Sequence, residues 1–198
     1  SMPSMQALPL HRRTPLERVV RPLLALWLCA LALVAQAQGV ELASLQVVRA
    51  DSALELEFSA RITLPRAVAE ALMRGVPVYF VAEATLLRSR WYWRDERVAR
   101  VRRSWRVAYQ PLTGSWRVGL GGLNQSYATL AEALAAASSS SGWKLADLAA
   151  LGGDKGYYVE FEYRLDTSQL PGPMQFGLGG PGGPGEWTVG VERVLRLE

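Results

Sequence analysis

The chain has 198 residues, a net charge of +4, 49% apolar residues, and a single cysteine and a single histidine, Cys29 and His11. That length suffices for one domain with a sizeable core, and no run of like charges is long enough to predict disorder. Much of the positive excess sits in four arginines near the N-terminus, so the charge is no reason to expect nucleic-acid binding.

Those arginines, Arg12, Arg13, Arg18 and Arg21, precede the apolar run LLALWLCALALV at 23–34 and the small-residue triplet Ala35-Gln36-Ala37. A basic stretch, an apolar stretch and an A-x-A site are the three parts of a secretory signal peptide. Residues 1–37 are therefore expected to be a signal removed after Ala37, with Ser1 a cloning residue and the natural start at Met2 or Met5. The apolar run is short for a membrane-spanning helix, which needs about 20 residues. An uncleaved anchor is the alternative, and would be the only membrane attachment. Cys29 follows Leu28 inside the apolar run, so it reads as an apolar filler rather than a lipidation site. The expected product is an exported, periplasmic chain of residues 38–198 with neither thiol nor imidazole.

Strand patterns dominate the chain from residue 41 onward. Residues 41–49 read as a strand. In 53–64, Leu54, Leu56, Phe58, Ala60 and Ile62 alternate with Glu55, Glu57, Ser59 and Arg61. The segment PRAVAEALMRG at 65–75 reads as a short helix, opened by proline and stopped by Gly75. Residues 76–93 form another strand, with a hairpin tip at Asp95-Glu96. In 97–109, Ala99, Val101, Trp105, Val107 and Tyr109 share a face that Arg103 interrupts, opposite Arg100, Arg102, Ser104 and Arg106. Residues 115–120 form a weaker strand. Thr129 and Glu132 make a capping box before LAEALAAA. The serine run 138–141 and one or two helical turns over 143–151 come next. Tyr157, Val159, Phe161, Tyr163 and Leu165 then alternate with Tyr158, Glu160, Glu162 and Arg164. The segment PGPMQFGLGGPGGPG at 171–185 cannot hold a ladder and is expected to be a flexible loop. Trp187, Val189, Val191, Leu195 and Leu197 end the chain with a last strand.

Strands that bury one face and wet the other are the antiparallel signature. The fold class is therefore mainly β: an antiparallel, sandwich-like single domain with one or two short helices. An open sheet with helices on one face is the alternative.

The block 88–106 is the candidate binding surface. Arg88, Arg90, Arg94, Arg97, Arg100, Arg102, Arg103 and Arg106 surround Trp91, Tyr92, Trp93 and Trp105, with only Asp95 and Glu96 as acids. Guanidinium forks grip carboxylate or phosphate in pairs and stack on rings. Arg100, Arg102 and Arg106 on one strand face, where alternate residues lie about 7 Å apart, would form a ladder for an anionic polymer, lipid head group or acidic partner. The plainer reading is a solvated face whose arginines pair with Glu55, Glu57, Glu160 or Glu162. Strand alternation would put Trp91 and Trp93 on one face, either as a platform for a sugar or a partner, or in the core, where large aromatics usually go. The pairs Glu55/Glu57 and Glu160/Glu162 have the spacing of two-carboxylate glycoside chemistry, and equally that of any polar strand face.

The run YFVAEATLLRSRWYWRDERVARVRRSWRVAYQPLT at 79–113 resembles the exported proteins of domain-of-unknown-function family 4390, also labelled proline-rich signal-peptide proteins. So do Leu123-Asn124-Gln125-Ser126-Tyr127, the helix start at 130–134, Leu165-Asp166-Thr167-Ser168-Gln169-Leu170-Pro171, and the closing Val191-Glu192-Arg193 and Leu195-Arg196-Leu197-Glu198. The resemblance covers nearly all of 38–198; the link 116–124 is short and the Gly/Pro loop is expanded. It implies no activity and no catalytic residues. It implies an envelope setting, beside genes for a membrane sensor histidine kinase.

Without histidine or cysteine after residue 37, a Ser-His-Asp triad, a cysteine nucleophile and the usual zinc, copper and haem sites are excluded. Ser141-Gly142-Trp143-Lys144 matches a serine–lysine spacing by letter only. The expectation is a non-enzymatic module with no catalytic residues, no metal and no cofactor. Its binding residues would be Arg88, Arg90, Trp91, Trp93, Arg100, Arg102 and Arg106. Its partner would be an envelope protein such as a sensor-kinase ectodomain, or an anionic envelope polymer. A carbohydrate-binding or carbohydrate-active protein using an exposed tryptophan platform is the alternative, and a purely structural envelope protein the third.

Overall fold

A strand with one apolar face is stable only when a second layer covers that face. The computed structural model meets this need with two antiparallel sheets. It describes residues 39–153, 156–171 and 187–197. The expected signal 1–37, with His11 and Cys29, and the expected loop 171–185 beyond Pro171 lie outside the described residues.

One sheet has three strands in the order β1-β2-β7: β1 (Val40–Ala50), β2 (Ala53–Ile62) and β7 (Ser139–Asp147). The other has six, in the order β6-β5-β4-β3-β8-β9. Its members are β3 (Val78–Arg88), β4 (Glu96–Gln110), β5 (Ser115–Leu120), β6 (Leu123–Tyr127), β8 (Tyr157–Leu165) and β9 (Gly190–Arg196). The fold is thus mainly β and sandwich-like, and the second sheet replaces the open-sheet alternative.

The core lies where the alternation places it. Leu54, Leu56, Phe58 and Ala60 of β2 all point inward and are buried. Phe58 meets the opposite sheet at three rings, with centroids 5.0 Å from Phe161, 5.3 Å from Tyr163 and 5.8 Å from Trp105. Tyr163 takes its hydroxyl into this core because it donates to the Ala137 carbonyl at 2.6 Å. Burial holds its pKa well above that of an ordinary tyrosine.

Two helices among the described residues close what the small sheet leaves open. Helix α1 (Arg66–Met73) follows Pro65 and buries Val68, Ala71 and Leu72. It ends at Gly75 (φ 87°), with Gly75 N–H bonded to Leu72 O at 2.9 Å and Val76 N–H to Ala71 O at 3.0 Å. This is the Schellman stop that a left-handed glycine allows. Helix α2 (Leu130–Ala137) packs against β2, β4, β5 and β6. The Thr129 hydroxyl accepts from Glu132 N–H at 3.2 Å, and the Glu132 carboxylate accepts from Ala128 N–H at 3.2 Å. That is the expected capping box, shifted by one residue on its return bond.

Three expectations are corrected. The serine run and most of 143–151 form strand β7, and only Leu148–Ala150 makes a helical turn. Trp143 and Leu145 alternate inward, and the free edge of β2 supplies partners for the segment. Strand β6 has no counterpart among the expected elements, because LNQSY has no apolar alternation. Strand β3 ends at Arg88 rather than at Trp93, so the hairpin tip spans 89–95. Arg103, which breaks the apolar face of β4, reaches across to the small sheet. Its guanidinium donates to Ser140 Oγ at 2.7 Å and lies 5.1 Å from the Trp143 ring centroid.

Candidate functional site

The tip is built from its two acids. β3 and β4 pair down to Arg88 opposite Glu96. One oxygen of Glu96 accepts from both Arg88 and Arg90. Asp95 accepts the Arg90 backbone N–H at 3.2 Å through one oxygen and the Tyr158 hydroxyl at 2.5 Å through the other. Ser89 N–H bonds to Gly156 O at 2.9 Å, which pins the base of the tip to the approach to β8. These bonds prefer the ionised acids, so both carboxyls lie below their usual pKa: Asp95 chiefly through Tyr158, Glu96 chiefly through Arg90. The same contact with Asp95, followed by partial burial, pushes the Tyr158 phenol up to about 12.

Both acids are therefore committed to Arg88, Arg90 and Tyr158, and the aromatic side chains at 91–93 face solvent. Trp91 is 94% exposed, Tyr92 64% and Trp93 75%. Trp91 and Tyr92 touch edge to face, with centroids 5.2 Å apart. Arg94 and Arg97 are exposed and have no ion-pair partner among the described residues. The core reading of Trp91 and Trp93 is thus corrected. β3 pairs with β8 only as far as Arg88 opposite Tyr157, and among the described residues neither sheet covers the tip beyond that pair. Nor do the tryptophans share a strand face, since no strand runs through them. Tyr92, expected on the opposite face, is exposed beside them.

Arg100, Arg102 and Arg106 form the expected row on the outer face of the six-stranded sheet, separate from the tip. Arg100 pairs with Glu83 and Arg102 with Asp166 at 3.1 Å. Arg106 stands opposite Tyr79 and Gly119 and makes no ion pair among the described residues. Glu83 and Asp166 thus take the place of the expected partners. Glu55 and Glu57 belong to the other sheet, and Glu57 accepts from Gln46 at 2.7 Å. Burial raises the Asp166 pKa, but Ser168 and the arginines Arg164 and Arg102 outweigh it and hold the carboxyl low. A row so neutralised is a weaker grip for a polyanion than a free one. Of the seven expected site residues, the tip therefore gathers Arg88, Arg90, Trp91 and Trp93. Sequence reasoning passes over Tyr158, whose only signal is an aromatic on the polar face of its strand.

Glu160 and Glu162 face outward on β8. With Glu83, Thr85 and Glu192 they line a shallow cavity of about 320 Å³ that contains neither Trp91 nor Trp93. A tryptophan platform and a carboxylate pair are not brought together. Among the described residues, no group of three or more His, Cys, Asp or Glu is placed to hold a metal ion.

Fold and site define a two-sheet β protein that displays an aromatic, arginine-flanked hairpin tip. The family model described as Domain of unknown function (DUF4390) matches residues 37–191, and the chain belongs to that family. No curated protein and no solved structure matches it.

Proposed function

We propose that residues 38–198 act in the cell envelope as an exported, non-catalytic interaction module whose contact surface is the tip at 89–95. The observation that carries this reading is the exposure of three consecutive aromatics in a loop whose acids are already bonded internally. Trp, Tyr and Arg are the residue types most enriched in binding hot spots. A single exposed apolar residue needs no explanation, but three in a row between arginines do.

The favoured partner is an envelope protein, of the kind a sensor ectodomain represents, with an apolar pocket rimmed by acids. Covering about 400 Å² of tip surface gains about 10 kcal/mol. Association costs on the order of 4–15 kcal/mol. The tip alone therefore suits a transient contact, in which Arg94 and Arg97 steer the encounter.

A photo-crosslinking residue at Trp93 in the full chain tests this against the same residue at Leu112. Leu112 is fully exposed in the turn after β4, about 50 Å from the tip by strand rise. The expected result is a discrete protein adduct from position 93, absent from position 112 and lost in Arg94→Ser/Arg97→Ser. Identical adducts from both positions refute the assignment. An adduct with polymer instead of protein moves the partner to an anionic envelope polymer.

A further inference from the structure

The two sheets part at one edge. β1 ends the small sheet and β9 the large one, and no ladder joins them. Between them, at the end of the sandwich where β8 begins, lies a cleft of about 800 Å³. Its walls are Leu45 and Val47 of β1, Leu148 and Leu151 after β7, Leu195 of β9 and Leu197 just beyond it. All six are half-buried, packed against the core on one side and facing the cleft on the other. Glycines 152, 153 and 156 form part of the rim.

Among the described residues, one cation faces this apolar space. Arg49 occupies the same face of β1 as Leu45 and Val47, whereas Arg196, paired with Tyr158, lies on the outer face of the large sheet. Arg49 makes no ion pair with a described residue. An arginine on the inward face of an edge strand can serve only to discourage sheet-to-sheet pairing. Beside an apolar cleft of small-molecule size, it also supplies the one polar group that orients a ligand.

We infer that this cleft binds a long-chain carboxylate, its acyl chain lying between β1 and β9 and its carboxylate held by the fork of Arg49. The size is that of a ligand pocket, generally about 300–1,000 Å³. The lining matches a methylene chain, and guanidinium matches carboxylate in a paired hydrogen bond. The site is separate from the tip and stands or falls independently of it.

The test is displacement of a fluorescent fatty-acid probe from the full chain by oleate, with oleyl alcohol as the uncharged comparison. Val47→Trp fills the cleft, and Leu197→Glu places a charge in it. The expected result is saturable one-to-one oleate binding that both variants abolish. Arg49→Ser should weaken oleate at least tenfold and leave oleyl alcohol within about twofold. Oleate binding that survives both Val47→Trp and Leu197→Glu overturns the inference. So does oleyl alcohol binding the unaltered chain as tightly as oleate. Absence of oleate binding, together with a sedimentation mass that Val47→Trp changes, overturns it too and assigns the cleft to self-association instead.

Discussion

Arg103 is the residue that sequence pattern marks as out of place, and its removal gives a decisive measurement. Its guanidinium spans from the large sheet to the small one, over the Trp143 ring at 5.1 Å and onto Ser140 Oγ at 2.7 Å. Arg103→Met keeps an apolar stem of similar reach, so packing is largely preserved. The loss is a partly desolvated cation–π contact, about 1 kcal/mol, and a charge-assisted hydrogen bond, about 1.5 kcal/mol. Against this stands the cost of holding the guanidinium out of water, visible as a pKa lowered by burial. Removing that cost offsets part of the loss, leaving a net destabilisation of about 1–2 kcal/mol. Urea unfolding should show a lower midpoint with an unchanged slope, and the melting temperature should fall by about 3–6 °C. A double-mutant cycle with Trp143→Leu isolates the pair, with an expected coupling of about 1 kcal/mol. A coupling near zero, or an Arg103→Met chain as stable as the original, refutes the clasp and leaves Arg103 as a tolerated interruption.

Two further changes probe the tip and the last strand. The raised Tyr158 and lowered Asp95 pKa values share one hydrogen bond, and the signs run in opposite directions. The Tyr158 contribution is full below about pH 10 and is lost as pH rises towards about 12, whereas that of Asp95 is full above about pH 4 and lost below it. Tyr158→Phe should delete a phenolate absorbance step near pH 12; a titration curve that keeps this step contradicts the assignment. Gly190→Ala introduces a Cβ 2.9 Å from Arg164 Cβ and 3.1 Å from Tyr163 O, so β9 must shift. Thermal melts should show a loss of about 1–3 kcal/mol. Gly122→Ala, with open space around it, should stay within about 0.5 kcal/mol. Equal effects at the two glycines would count against the β8–β9 register.

How much is legible in the letters depends on whether the determining contact is local. β2 is readable because four inward residues in strict alternation leave one choice of face. β7 is not, because serine and alanine carry no periodic signal and only Trp143 and Leu145 register the inward face. β6 exists through pairing with β5 along residues that are nearly all exposed, which no pattern of apolar residues can announce. The same division applies to the site. The density of arginine and tryptophan at 88–106 is visible in the letters. Exposure is not, because it depends on where β8 begins, some seventy positions later. The partners of Arg100 and Arg102, 17 and 64 residues away, are likewise set by the sheet.

The residues behind the tip and the cleft meet at Arg88 and Tyr157. These two are the last paired residues of β3 and β8 before the ladder runs out. Tyr157 lines the cleft, and its hydroxyl accepts the Gly152 N–H at 3.0 Å. Arg88 is hydrogen-bonded to Tyr157 and also to Glu96 at the base of the tip, and both contacts raise its pKa. The end of the sandwich is thus one bonded unit: a loop that leaves the sheet on one side of this pair, and an apolar opening on the other. Substitution at Tyr157 would strike both features at once and could not assign a role to either. Changes at Trp93 and at Val47 stand on opposite sides of the pair, and each leaves the other feature's bonds intact. That separation makes partner capture at the tip and carboxylate binding in the cleft two independent questions on one scaffold.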